Sequence, residues 1–401
     1  MKIKNITAIV LACVLLAVMA PSLKCSAQPL STVTAASSAS SSDYTSGANN
    51  ALLQEQSSNS GAGQLQGKAP QSAQKSLDSL GIKSGDVNSL SQFTPANMLK
   101  TVMNSLQSAA EAPLKAVAAV LGILLVCALL NTLKNSFGEK SLQNVFDVVS
   151  ALCIASVIIV PVSQCVSFCA QTITQSSDFM LTFLPVYTAL ASVSGHPASA
   201  IAFQSLLLVA SEALTQIAST TFVPMVDIYL GFCVVGAVSP GVNISGIASF
   251  VKNTVTWGLG LCMTIYVGIL TIQGLISNAA DNVTMKAAKF VVEGAVPVIG
   301  GAISDAMNTV ISCAGLLKTA VGAYAIVVFI LAFLPPVLEC FIWLIAADFS
   351  LAVADILGIS NMSGMLKAFK EALKLLLALV LVSALAMIVS VSVMLLVGMG
   401  S

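Results

Sequence analysis

The sequence predicts an all-α fold, a polytopic transmembrane helical bundle of about 7–9 spans, since roughly 20 apolar residues cross the hydrocarbon. A cleaved signal peptide and a disordered exported arm precede it. Three observations predict this class. Hydrophobic residues make up 57% of the 401 and charged residues only 8%, against about 25% charged in an average soluble domain. A chain so short of charge cannot cover a water-facing surface, so lipid is its solvent for most of its length. Apolar runs of bilayer-crossing length then recur from Leu114 to the C-terminus.

The N-terminus, 1–27, carries the marks of a secretory leader. Lys2 and Lys4 form the positive region, Ile6 to Ala20 the apolar region, and Pro21 breaks the helix. Cys25-Ser26-Ala27 offers the small residues of a cleavage site before Gln28. Residues 28–93 are rich in Ser, Ala, Gln and Gly. They have too little apolar surface to offset chain entropy, which predicts a disordered or weakly helical exported arm. Over 94–112, Thr94-Pro95 starts a helix, and Met98, Val102 and Leu106 recur at helical spacing. That pattern predicts an amphipathic helix on the membrane surface.

The multi-pass domain, 113–401, resolves into eight crossings. These are Leu114–Leu133, Val145–Val166 with a kink at Pro161, and Phe179–Val193. A hairpin over Ala198–Val238 bends near Ser219-Thr220-Thr221, followed by Val255–Ile276, Val321–Ala346 interrupted at Pro335-Pro336, and Leu373–Val397. Residues 277–318 are too polar for a lipid-facing span and too apolar for a loop, so a re-entrant or interfacial helix–break–helix is expected. Residues 347–371 form a second amphipathic stretch. The positive-inside rule puts Lys134 and Lys140 in a cytoplasmic loop. It does not sort Lys286, Lys289 and Lys318 from Lys367, Lys370 and Lys374, which flank one crossing.

Composition also excludes functions. Seventeen lysines balance seventeen carboxylates and arginine is absent, so neither a net field nor a guanidinium fork is available for nucleic acid. The sole histidine, His196, stands in the loop Ser194-Gly195-His196-Pro197 and reads as a turn residue. Metalloprotease, phosphate-loop and intramembrane-protease motifs are missing, so no enzyme activity, no catalytic residue and no cofactor is expected. The cysteines read as apolar packing side chains, with Cys165 and Cys169 one helical turn apart. Three carboxylates fall inside apolar runs: Glu212, Asp227 and Glu339. Each costs roughly 2.5–3.5 kcal/mol in lipid, so a polar path across the membrane is one reading and placement near headgroup water the other. Thr256, Gly260, Thr264 and Gly268 make a small-residue ridge for helix packing, within the chain or between copies.

The stretch 281–318 carries a family resemblance. Lys286-Ala-Ala-Lys289-Phe290, Val296-Pro297-Val-Ile-Gly300, Asp305, Thr309-Val310-Ile311-Ser312 and Leu316-Leu317-Lys318 resemble the stage III sporulation protein AE family of endospore-forming bacteria. The resemblance covers roughly 95–401 and is most specific at 284–322. It marks Lys286, Lys289, Pro297, Gly300, Asp305 and Lys318 as motif residues for packing and implies no catalytic group. It implies a mother-cell membrane protein of the channel-like, partly secretion-like complex that joins mother cell and forespore. The partners implied are the lipid bilayer and an ATPase and other membrane subunits of that complex, with a homo-oligomer left open. A self-sufficient small-solute permease is the alternative, because spans and intramembrane carboxylates permit it.

Overall fold

The computed structural model describes residues 53–86, 89, 93–137, 140–238, 245–295 and 300–396, with side chains at 130–147, 237–245 and 272–307 outside that description. The leader, 1–27, and the first part of the expected arm lie outside the described residues. The chain divides into two compact units, Met1–Glu55 and Gln56–Ser401, and the helices below belong to the second. All regular structure among the described residues is helical. The helices are α1 Gln71–Leu80, α2 Pro95–Phe137, α3 Lys140–Val193, α4 Pro197–Ile217, α5 Val223–Val238, α6 Ser245–Ala295, α7 Gly300–Ile356 and α8 Ser360–Leu396. A single π-helical turn, Ala218–Phe222, joins α4 to α5.

Among the described residues, six helices are long and apolar enough to cross a membrane: Ala96–Leu129, Val148–Val193, Pro197–Gly236, Gly246–Thr271, Asn308–Ile356 and Met362–Leu395. The expected eight become six because two predicted breaks are continuous helix. The crossings 145–166 and 179–193 are both parts of α3. Two of the polar residues between them bond within the helix, Thr172 donating to the Phe168 carbonyl at 3.0 Å and Thr174 to the Ala170 carbonyl at 3.1 Å, while Ser176 and Ser177 are buried small side chains that pack inside the bundle.

The hairpin expected near Ser219–Thr221 is likewise a π turn within one rod. Pro224 has no N–H for the carbonyl four residues back, and one widened turn absorbs that defect without reversing the chain. The Thr220 hydroxyl donates to the Gln216 carbonyl at 2.6 Å, which keeps a polar side chain compatible with helix. Pro113, Pro161, Pro185, Pro335 and Pro336 also lie within helices. The amphipathic segment 94–112 is therefore continuous with the first span, as the first half of α2.

Glycine caps set the reversals that do occur. α7 ends at Ile356, and Gly358, at φ +70°, turns the chain into α8. The Ile359 N–H returns to the Ala354 carbonyl at 3.2 Å and Gly358 N–H to Asp355 at 3.2 Å, closing the last orphan carbonyls. Stretch 347–371 is this helical corner, pinned by Ser363 donating to the Asp355 carboxylate at 2.5 Å and by an ion pair between Lys370 and Asp348. The same device follows α3. Gly195 at φ +96° is succeeded by His196 as N-cap and Pro197 at the first helical position. His196 is thus a turn residue.

The core is built on α3, α7 and α8. Phe179 meets Phe329 edge-on at 5.5 Å, stacks near Phe183 at 6.3 Å, and Phe183 leans on Tyr187 at 5.4 Å. All four rings are buried, and the Tyr187 hydroxyl donates to the Met394 carbonyl at 2.8 Å. These contacts run α7 antiparallel to both α3 and α8. Part of the stretch expected to be disordered is also built in. Leu65 of the short helix Leu65–Lys68 and Ala73 and Leu77 of α1 are buried. Leu65–Lys68 packs on α3 and α1 on α7, across an extended step at Ala69-Pro70.

Candidate functional site

Two polar levels bracket the bundle. At one, the Lys252 ammonium meets Glu371 at 2.5 Å and Lys374 meets the other oxygen of the same carboxylate at 2.6 Å, tying α6 to α8. Asp348 and Lys370 lie at the same level. At the other level Tyr187 bonds the Met394 carbonyl, and Tyr266 on α6 bonds Ser390. From Lys374 to Met394 is 20 residues of α8, a rise of about 30 Å. That equals the hydrocarbon thickness. Both tyrosines are buried and tie helices together at that level.

The expected intramembrane carboxylates do not converge. Glu212 and Asp227 belong to the continuous α4–π–α5 rod, not to facing limbs of a hairpin, and both are exposed on its outer side. Their heights follow from Phe222, whose ring would lie 2.9 Å from a Cβ added at Gly258. Gly258 is six residues above Lys252 on α6, or about 9 Å above the lysine level. Asp227 then sits at that level, and Glu212 about 24 Å above it, near the tyrosine border. Between them Gln216 and Thr220 are also exposed. The outer face of this rod is a polar track from Asp227 to Glu212, interleaved with exposed Val209, Ile217 and Ile228. Ser211 and Thr215 turn inward on the opposite face.

Glu339 lies half-buried on α7, away from both. The small-residue ridge on α6 also faces out. Gly260, Thr264 and Gly268 are exposed, and nothing lies within 4 Å of a Cβ added at either glycine. Sequence reasoning missed Gln216 and Thr220 as members of a face, and Lys252–Glu371–Lys374 as a cluster. The i, i+4 spacing of Glu212, Gln216 and Thr220 was the available signal.

Of the motif residues, Lys318 is 5% exposed on α7. Pro297 lies outside the described residues, as do the side chains of Lys286, Lys289 and Asp305. Residues 277–295, expected as part of a separate re-entrant or interfacial segment, are the continuous end of α6, which closes at Ala295, and α7 starts at Gly300.

A family model described as stage III sporulation protein AE matches residues 80–398. Its start, inside α1, is earlier than the sequence pattern alone suggests. A relative of that name from Bacillus subtilis (strain 168) is 23% identical over 244 residues, 61% of each chain. The matched segment thus spans less than two thirds of that relative. No solved structure matches the chain.

Proposed function

We propose a role from one premise: this chain belongs to the stage III sporulation protein AE family. It acts as a membrane subunit of a channel-like, secretion-like complex between mother cell and forespore, placed in the mother-cell membrane. The ATPase and further membrane proteins of that complex are its partners. The observation that carries a subunit role is the outward polar face of α4–α5. A monomer would set Gln216 and Thr220, between Asp227 at one border and Glu212 near the other, against lipid, and polar groups at that depth normally face protein or water. A neighbouring subunit removes that cost, and the smooth ridge at Gly260–Gly268 offers a second place of close approach.

The permease reading is weaker for a physical reason. A self-sufficient carrier needs a polar route inside its own bundle. Among the described residues, the cleft between α2, α3, α7 and α8 is lined mainly by apolar side chains such as Val120, Ile158, Trp343, Phe369 and Leu373, with Ser350 beside them.

Deleting the gene tests the role. Engulfment should finish, forespore development should then stop, and vegetative growth should be normal. A photo-cross-linker at Gln216 should capture a protein during sporulation, whereas one at the exposed Trp257 on the apolar side of α6 serves as the lipid-facing comparison. Normal spores from the deletion strain, or a solute-dependent growth defect in dividing cells, would overturn the subunit role.

A further inference from the structure

The fold brings three cysteines together from distant parts of the chain. Cys165 and Cys169 are successive turns of α3, and Cys340 of α7 faces both. The Cys340 sulfur lies 3.8 Å from that of Cys165 and 3.7 Å from that of Cys169, and all three sulfurs fall within 4.8 Å of one another. Each residue is 0% exposed and none is in a disulfide. Cys340 lies eight residues from Asp348, about 12 Å inside the slab from the lysine level.

We propose that Cys165, Cys169 and Cys340 form a thiolate site for a soft divalent cation of the Zn2+ type, clamping α3 to α7. Geometry supports it first. Zinc–sulfur bonds of about 2.3 Å put tetrahedral ligands about 3.8 Å apart, and the two inter-helix separations match that edge with a small closure of the third. Apolar packing would be served as well by Ala or Val and gives no reason for three sulfurs to converge.

Charge then chooses the ion. The surroundings are apolar, so the complex with least residual charge costs least. Three thiolates leave one negative charge with a divalent ion and two with a monovalent one, which disfavours Cu+ although thiolates suit it. Each binding thiol loses its proton to water as the metal enters. Three protein ligands leave a fourth position. Glu339, next to Cys340, is half-buried.

The inference stands independently of the sporulation role. Full-length protein purified in detergent from zinc-supplied cells should retain one Zn2+ per chain through gel filtration. Cys340→Ser and Cys169→Ser should each lower retention at least tenfold, while Cys153→Ser, at an exposed cysteine of the same helix, should not. Because a core substitution can unfold the chain, a second readout is the rise in Tm on adding Zn2+ to metal-stripped protein. Wild type should show it, and a Cys340→Ser variant that is folded by circular dichroism should not. Wild-type protein that holds no metal and gains no Tm would overturn the site. So would retention unchanged by both serine variants, or a Cys165–Cys340 or Cys169–Cys340 disulfide found by non-reducing mass spectrometry.

Discussion

Removing the Glu371 carboxylate should destabilise the bundle more than removing either lysine that it holds. Glu371→Ala strips the only acidic partner from a triad in which Lys252 and Lys374 both approach it within 2.6 Å. The three side chains are between a quarter and a third exposed, so neither the surface limit of about 0–1 kcal/mol nor the buried limit of about 3–5 kcal/mol applies. A value of roughly 2 kcal/mol lies between these limits, and the two lysines left facing each other add repulsion. Lys252→Met removes the inter-helix bond but leaves Glu371 its bond to Lys374, and should cost about 1 kcal/mol. Lys374→Met removes only a bond along one helix and should cost about 0.5 kcal/mol or less. Equilibrium unfolding of detergent-solubilised protein in graded sodium dodecyl sulfate would give the three values. A Glu371→Ala change costing no more than Lys374→Met would refute the clamp between α6 and α8.

Two further changes probe separate parts of the fold. Tyr187→Phe deletes the donor to the Met394 carbonyl in a buried site and should cost about 1–2 kcal/mol by the same unfolding assay; an unchanged midpoint would count against that border. Gly358→Val forces a β-branched residue to φ +70° and should cost about 1–2 kcal/mol. Its effect should appear first as faster proteolysis at the α7–α8 corner, and a corner as resistant as wild type would contradict the cap.

Much of the class was legible in the sequence. Scarcity of charge dictates lipid as solvent, and the turn at Gly195-His196-Pro197 follows from glycine and proline chemistry. The span count was not legible, for an identifiable reason. Ser and Thr read as loop residues until their hydroxyls are seen bonded to carbonyls of their own helix, as Thr172, Thr174 and Thr220 are. Pro224 beside them looked like a bend and is absorbed by one π turn. The carboxylates were found singly, but which way Glu212 and Asp227 point depends on where α6 presses against Phe222. Cys340 is more than 170 residues from its sulfur neighbours, so no spacing rule could join them. Leu65 and Leu77 were diluted among small residues, and only the surfaces of α3 and α7 make them core.

α7 runs 57 residues without interruption, about 86 Å of helix where 30 Å would cross the hydrocarbon. Such a rod is stiff, and a sideways push on one protruding end is delivered to the other with its direction reversed, as by an oar in its lock. Pro335 and Pro336 alter that stiffness at one level. They remove the N–H donors for the carbonyls of Leu331 and Ala332, both wholly buried. Those carbonyls lie inside the slab, so bending strain gathers there and spares the aromatic contact of Phe329 just beyond. The level of Leu331 and Ala332 is therefore where α7 bends most readily, inside the packed core.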